Sequence, residues 1–100
     1  MHIITRKRIL EAATKHPDCA TALHGWHQVM QKNSFENYAT LKKTFNSVDK
    51  VSHLFVFNVG GNKLRLIAAI HFNTGKVFIR HILTHKEYDS NKWKSLEGLL

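Results

Sequence analysis

The spacing of apolar residues changes near the middle of this 100-residue chain, and that change strongly limits the folds it can adopt. From residue 6 to residue 45, apolar residues recur at three- and four-residue steps, which is typical of amphipathic helices. From Leu54 onward, short runs of branched and aromatic residues separated by glycine-containing turns indicate strands. A chain this short builds one modest core. We therefore predict a single domain over residues 1–100 of the α+β class, with N-terminal helices packed on one face of a small antiparallel sheet.

The N-terminal half contains three predicted helical pieces and one short strand. An apolar stripe at residues 9–13 indicates the first helix, and Pro17 ends it because proline cannot continue a helix from within. Asp18 is a candidate cap for the second helix, since its carboxylate can accept from free backbone N–H groups. Residues 41–45 indicate a further short helix, and residues 3–4 a brief edge strand.

The C-terminal half contains three predicted strands followed by a short helix. The strands cover residues 54–59, 63–72 and 76–84, with Gly60-Gly61 and Thr74-Gly75 as two-residue hairpin turns. Thr84 and Glu87 have the spacing of a capping box, in which each side chain accepts from a free backbone donor of the other residue. A short helix should therefore begin there and run through residues 93–100.

The two turns predict which residues lie opposite one another. Two-residue turns place Val56 and Thr84 opposite Arg65, and Asn58 opposite Lys63. The face toward the helices is then apolar and carries these residues: Phe57, Leu64, Leu66, Ala68, Ile70, Phe72, Val77, Ile79 and Leu83. His81 is predicted to lie on the same face as a structural histidine. The opposite face is predicted to be basic and open to solvent, with His85 just beyond the strand: Asn58, Lys63, Arg65 and Arg80.

The charge balance indicates an acidic ligand. Fifteen Lys and Arg against seven Asp and Glu give a net charge of +8. Such a basic domain favours nucleic acid, because each neutralised phosphate releases counterions, and it also suits an acidic protein partner. The lone Cys19 cannot form an internal disulfide, and no apolar run is long enough for a membrane span or a signal peptide. We therefore expect a cytoplasmic protein that does not associate with membranes.

Cleavage of RNA requires few protein groups, because the RNA supplies its own 2′-hydroxyl nucleophile. Arg65 is a candidate for holding the phosphate bidentately, and His85 for donating a proton to the leaving oxygen. Tyr88 is a candidate for stacking on a base or donating a hydrogen bond. The predicted RNA-binding residues are Asn58, Asn62, Lys63, Arg80 and Lys86. His24 and His27 have a spacing that metal sites use, but no acidic or cysteine cluster completes a site, so we expect no metal or other cofactor.

Two segments at paired spacing resemble HigB-type toxins, which belong to the RelE-like mRNA interferases: residues 57–68 (FNVGGNKLRLIA) and residues 77–89 (VFIRHILTHKEYD). The resemblance implies a toxin that cuts mRNA in the ribosomal decoding site and is held inactive by a HigA-type helix-turn-helix antitoxin. In such toxins an arginine on the central strand contacts the scissile phosphate, and histidine or basic groups near the last strand aid proton transfer. Arg65 and His85 match those places, and Tyr88 occupies a characteristic position. The chain departs from many relatives at Lys86, where they have alanine, and at Leu64, where they have an aromatic residue.

The residues alone leave two further classes of function open. One is a non-catalytic RNA- or DNA-binding module that uses the same basic sheet face. The other is an interaction domain whose positive charge matches an acidic partner. Only the segment from His85 to Tyr88 and the family resemblance favour the metal-independent, ribosome-dependent ribonuclease over these alternatives.

Overall fold

The computed structural model describes residues 1–100 and contains five strands, five α-helices and one 3₁₀ turn. In chain order these are β1 (His2–Ile3), α1 (Arg6–Lys15), a 3₁₀ turn (Pro17–Cys19), α2 (Ala20–Lys32), α3 (Tyr38–Thr44), β2 (Asp49–Val51), β3 (Leu54–Val59), β4 (Leu64–His71), β5 (Lys76–Thr84), α4 (His85–Asp89) and α5 (Lys92–Leu96). None of the helices is long and apolar enough to cross a bilayer.

The strands form one sheet in the order β1-β5-β4-β3-β2. Only the pairing of β1 with β5 is parallel, and the other three are antiparallel. The predicted α+β class is confirmed, and β3 and β5 have the predicted bounds. Strand β2 was not predicted, because its three residues include the polar pair Asp49-Lys50 and carry no alternating pattern.

The main core lies between the N-terminal helices and one sheet face. It contains Ile9 from α1, Leu23 and Met30 from α2, and Phe57 and Leu66 from the sheet, each almost inaccessible to solvent. The predicted helical spacing of apolar residues is confirmed for α2, because its buried residues recur at three- and four-residue steps.

The predicted capping role of Asp18 was wrong. Residues 17–19 form a 3₁₀ turn, and no side chain caps this turn or α2. The Asp18 carboxylate instead accepts a 2.8 Å hydrogen bond from Lys63 Nζ, which holds the pKa of Asp18 below its usual value. Asp18 thus joins the helical layer to the β3–β4 loop.

The predicted register between β3 and β4 was wrong by two residues, because the loop holds four residues rather than two. Val59 pairs with Leu64, so Asn58 lies opposite Arg65. Gly60 and Gly61 both have positive φ, which favours glycine. A side chain at Gly60 would also meet Cys19 Sγ at 2.9 Å. A shift of two residues leaves each side chain on its predicted face.

The predicted register between β4 and β5 was also wrong, and a β-bulge is the reason. The hairpin pairs His71 with Lys76, and the register then shifts where Ala68 pairs with Ile79 and Ile67 with His81. An extra residue at this point moves every later side chain of β5 to the other face. Leu83 therefore lies opposite Arg65, and Leu64 rather than Arg65 is opposite Thr84.

The sheet face away from the N-terminal helices is not open to solvent as predicted. Leu54, Val56, Ile67 and Trp93 form a second buried cluster there. Trp93 comes from α5, so the C-terminal segment folds back over the sheet. His81 and Leu83, predicted to lie in the main core, belong to this second face. The C-terminal segment therefore turns part of the basic face into a covered site.

Candidate active site

Arg65 is buried although it carries a charge, with only 9% of its surface exposed. It lies on the central strand β4, beside Asn58 on β3 and Leu83 on β5. Its Nη1 donates to the Leu64 carbonyl oxygen at 3.3 Å, and its Nη2 lies 3.3 Å from His85 Nδ1. The strand pairing and these two contacts hold the guanidinium in one place.

No carboxylate lies within 4.0 Å of the Arg65 guanidinium. The ion pairs formed by lysine and arginine involve Lys7, Lys63 and Arg80, and the other two carboxylate contacts involve the rings of His81 and His85. A guanidinium carries five N–H donors and cannot lose its charge in a protein. Arg65 therefore has free donors and an uncompensated charge, an arrangement that suits an anionic ligand such as a phosphate group.

His85 is positioned by the start of α4. Thr84 N donates to Glu87 Oε1 at 2.9 Å, and Glu87 N donates to Thr84 Oγ1 at 3.2 Å, so the predicted capping box is confirmed. The bond from Thr84 N to the carboxylate lowers the pKa of Glu87, and the two bonds together fix the first turn of α4. His85, the first residue of that turn, is thereby directed toward β4.

His85 has a polar neighbour at each ring nitrogen. A guanidinium only donates hydrogen bonds, so Arg65 Nη2 is the donor and His85 Nδ1 the acceptor in their contact. The other ring nitrogen, Nε2, lies 3.5 Å from Asp89 Oδ2 across one helical turn. The imidazole thus lies between a guanidinium at Nδ1 and a carboxylate at Nε2.

Tyr88 covers Arg65 from α4. The guanidinium carbon lies 5.9 Å from the centre of the Tyr88 ring, within the range of a cation–π contact. The same ring stacks on Trp93, with centroids 5.4 Å apart. Burial raises the pKa of Tyr88, and the charge of Asp49 adds to this more than Arg65 opposes it. Tyr88 therefore stays a neutral phenol that can donate a hydrogen bond.

Asp49 is a polar neighbour of this site that the sequence did not reveal. It lies on β2 opposite Val56, so it shares the sheet face on which Tyr88 packs. Its carboxylate is exposed and is not a member of any ion pair. Strand β2, which carries Asp49, has no recognisable sequence pattern. The one weak signal for Asp49 in the sequence is a negative charge shortly before Leu54 in a basic chain.

The predicted RNA-binding residues do not all surround Arg65. Asn58 is exposed and lies directly opposite Arg65, and Lys86 is exposed beside His85. Asn62 and Lys63 lie in the exposed β3–β4 loop, where Lys63 pairs with Asp18. The Arg80 guanidinium is 3.0 Å from Glu97, away from the contacts of Arg65. RNA contact by these five side chains stays a prediction.

Glu97 joins the C-terminal segment to β5. Its side chain is 6% exposed, and the carboxylate lies 3.0 Å from Arg80 Nη2 and 2.7 Å from His81 Nε2. His81 thus has a structural contact, as predicted, although on the second sheet face. The same segment provides Trp93, whose Nε1 donates to the Tyr88 carbonyl oxygen at 3.1 Å. Glu97 therefore helps to hold the residues that support Tyr88.

Replacing Glu97 by glutamine should lower the free energy of unfolding by about 1–3 kcal/mol, because glutamine lacks the negative charge that faces Arg80 and His81. Urea denaturation measures this change. Glu36→Gln is the control, since Glu36 is exposed and has no ion pair. An unchanged midpoint for Glu97→Gln would mean that this contact contributes nothing to the packing of α5.

No group of three or more His, Cys, Asp or Glu side chains lies close enough together to hold a metal ion. His24 and His27 are one helical turn apart on α2, without a third ligand of these types. The site combines the guanidinium of Arg65 with the imidazole of His85 and the phenol of Tyr88. They can bind a phosphate, stabilise developing negative charge and transfer a proton.

Comparison with known proteins identifies the family. Residues 19–91 match the model of the HigB toxin family, described as the RelE-like toxic component of a toxin–antitoxin system. The mRNA interferase toxin HigB of Escherichia coli (strain K12) is 42% identical over 92 residues, covering 89% of this chain and 88% of the relative. The mRNA interferase HigB of Shigella flexneri shows the same identity and coverage, and that of Escherichia coli O6:H1 is 37% identical over 92 residues.

The chain therefore belongs to the HigB toxin family, the RelE-like toxic components of toxin–antitoxin systems, as the sequence predicted. Membership in this family implies an antitoxin partner. The matched region contains Arg65, His85 and Tyr88. It ends at residue 91, before α5 and the contacts of Trp93 and Glu97.

Proposed function

We propose that this protein is an endoribonuclease toxin that cleaves translated mRNA on the ribosome and thereby stops growth. The observation that carries the proposal is Arg65, a buried guanidinium without an acidic partner that contacts both His85 and Tyr88. The relatives named mRNA interferase support this activity, since they match most of the chain. We further propose that residues 1–100 act as one domain in the cytoplasm.

In the proposed reaction, Arg65 binds the scissile phosphate and draws its donors away from His85. Nδ1 of His85 is then free to take up a proton, and the Asp89 carboxylate stabilises the resulting imidazolium. The 2′-oxygen attacks phosphorus while its proton leaves to water, and the bond from phosphorus to the 5′-oxygen breaks. His85 protonates that leaving oxygen, and the products are a 2′,3′-cyclic phosphate and a free 5′-hydroxyl.

The other side chains of the site support the same reaction. Arg65 stabilises the charge that builds up on the phosphate oxygens, and Tyr88, as a neutral phenol, can donate a further hydrogen bond or stack on a base. Asn58 and Lys86 lie next to Arg65 and His85 and would contact neighbouring groups of the RNA. The protein presents no side chain fixed as a base for the 2′-hydroxyl. We therefore assign to the ribosome the task of orienting the mRNA so that this hydroxyl can attack the phosphate.

Expression from an inducible promoter in bacteria should arrest growth and produce new mRNA 5′ ends within coding regions. Mapping those ends in the first minutes after induction tests the proposal. A variant with a stop codon early in the gene controls for the burden of induction. Growth arrest without new 5′ ends would contradict the ribonuclease and favour the non-catalytic nucleic-acid-binding alternative.

The antitoxin is proposed to be a HigA-type helix-turn-helix protein that binds on the helical side of the toxin. Arg6, Lys7 and Arg8 are exposed on α1, and Leu10 on the same helix is 45% exposed, so α1 presents positive charge beside an apolar side chain. An antitoxin surface with acidic and apolar residues would complement both. Binding there would prevent ribosome entry without covering Arg65.

Co-expression with the product of the neighbouring gene should yield a stable, non-toxic complex. Hydrogen exchange on that complex is expected to show new protection in α1 (Arg6–Lys15). Protection confined to residues 65–88 would contradict binding on the helical side. Finding no partner, together with no growth defect on expression, would contradict the toxin proposal as a whole.

A further inference from the structure

A groove beside the candidate active site has an apolar floor and a basic rim. It lies between the end of β5, α4 and α5, and its volume is about 350 Å³. Leu83, Trp93 and Leu96 contribute apolar surface, while Lys86, Ser90 and Lys92 line it with polar groups. Leu96 is 77% exposed and Trp93 is 2% exposed, so Leu96 offers far more accessible apolar surface to a ligand than Trp93 does.

The groove and the Arg65 site share two structural elements. Helix α4 places His85 and Tyr88 at Arg65, and it places Lys86 and Ser90 in the groove. Trp93 stacks against Tyr88 with its ring and also lines the groove. The groove and the Arg65 site therefore adjoin each other through α4 and Trp93.

The charges around the groove favour an anionic ligand. Its acidic lining residue, Glu87, is held by the backbone N–H of Thr84, and the nearby Glu97 carboxylate is held by Arg80 and His81. Lys86 and Lys92 are exposed and form no ion pair. The groove therefore combines apolar surface for a flat ring with two free ammonium groups for phosphates.

We propose that this groove binds a nucleobase of the RNA strand next to the scissile phosphate and so sets the base preference at the cleavage site. This inference rests on the proposed ribonuclease function. A nucleobase is apolar on its faces, and the phosphates that flank it would pair with Lys86 and Lys92. Its continuity with the Arg65 site through α4 favours RNA over an antitoxin side chain as the occupant.

Leu96 and Leu100 provide a matched pair of variants, because both are exposed, at 77% and 80%, and only Leu96 lines the groove. Leu96→Glu should raise the KM for cleavage of ribosome-bound mRNA about 10-fold, because a charged carboxylate replaces the apolar surface that contacts the base, while kcat changes little. It should also weaken discrimination among mRNAs that differ only in the bases beside the cut. Leu100→Glu should match the parent in both measurements, and circular dichroism checks that both variants fold.

Three results would overturn the groove proposal. If Leu96→Glu and the parent cleave all the mRNAs with the same KM and base preference, the groove does not bind RNA. If Leu96→Glu cleaves normally but no longer binds the antitoxin, the occupant is the antitoxin. If the parent itself does not cleave mRNA on ribosomes, the proposed function fails and the groove proposal fails with it. The activity of the parent therefore distinguishes the two failures.

Discussion

Arg65→Ala is expected to abolish toxicity and to reduce mRNA cleavage by about 10²–10³, the usual cost of losing one preorganised group that stabilises charge. The variant should still fold, because Arg65 has no ion pair and its removal leaves no buried carboxylate unpaired. Growth after induction, single-turnover cleavage and circular dichroism measure these effects.

Two controls define the role of Arg65 more sharply. Arg65→Lys keeps the charge but loses the bidentate geometry, so its activity should fall between those of the parent and Arg65→Ala. Lys32→Ala removes an exposed cation from the end of α2, outside the surfaces to which the proposal assigns a role, and it should leave cleavage unchanged. A folded Arg65→Ala variant with full toxicity would remove Arg65 from the reaction.

His85→Ala should slow cleavage by roughly 10²–10⁴, the usual contribution of a positioned acid or base. Its stability should change little, since more than half of the side chain is exposed and its partner Asp89 is exposed as well. His81→Ala should have the opposite profile, because His81 is mostly buried and hydrogen-bonded to Glu97. Single-turnover rates and thermal melting temperatures of the two variants make the comparison.

The two histidines serve as controls for each other, since they lie four residues apart at the end of the same hairpin. A large loss of activity in His81→Ala with a normal melting temperature would assign the proton transfer to His81. Normal cleavage by His85→Ala would show that the contact between its Nδ1 and Arg65 Nη2 is structural only.

The features that could be predicted from sequence depend on neighbouring residues in the chain. The capping box of Thr84 and Glu87 spans one helical turn, and the bounds of β3 and β5 follow from local patterns. Arg65 and His85 could be named together because the strand that leads to α4 pairs with the strand that carries Arg65.

The features that escaped prediction depend on loop geometry and on contacts between distant parts of the chain. Both hairpin loops are longer than the two residues predicted, and the bulge on β5 moves His81 and Leu83 to the opposite face. Arg65 lies against Tyr88, and the Tyr88 ring stacks on Trp93, which α5 brings back over the sheet. Short apolar segments such as residues 93–100 do not reveal which surface they will cover.

Asp49 escaped prediction for a related reason. It reaches the Tyr88 side of the sheet only because residues 49–51 form a strand that pairs with β3. A tight turn at residues 52–53 connects the two strands. Ser52 in that turn has positive φ, which serine seldom adopts and which sequence patterns do not indicate.

The most direct test of the central claim is single-turnover cleavage of a defined mRNA by the purified protein, with and without programmed ribosomes. The assay includes a chelator with compensating polyamine, because no metal-ligand set is present among the side chains. The proposal predicts cleavage that requires ribosomes, persists in the chelator, and is lost in Arg65→Ala and His85→Ala. An intact mRNA with the parent protein, or equal cleavage by the parent and Arg65→Ala, would contradict it.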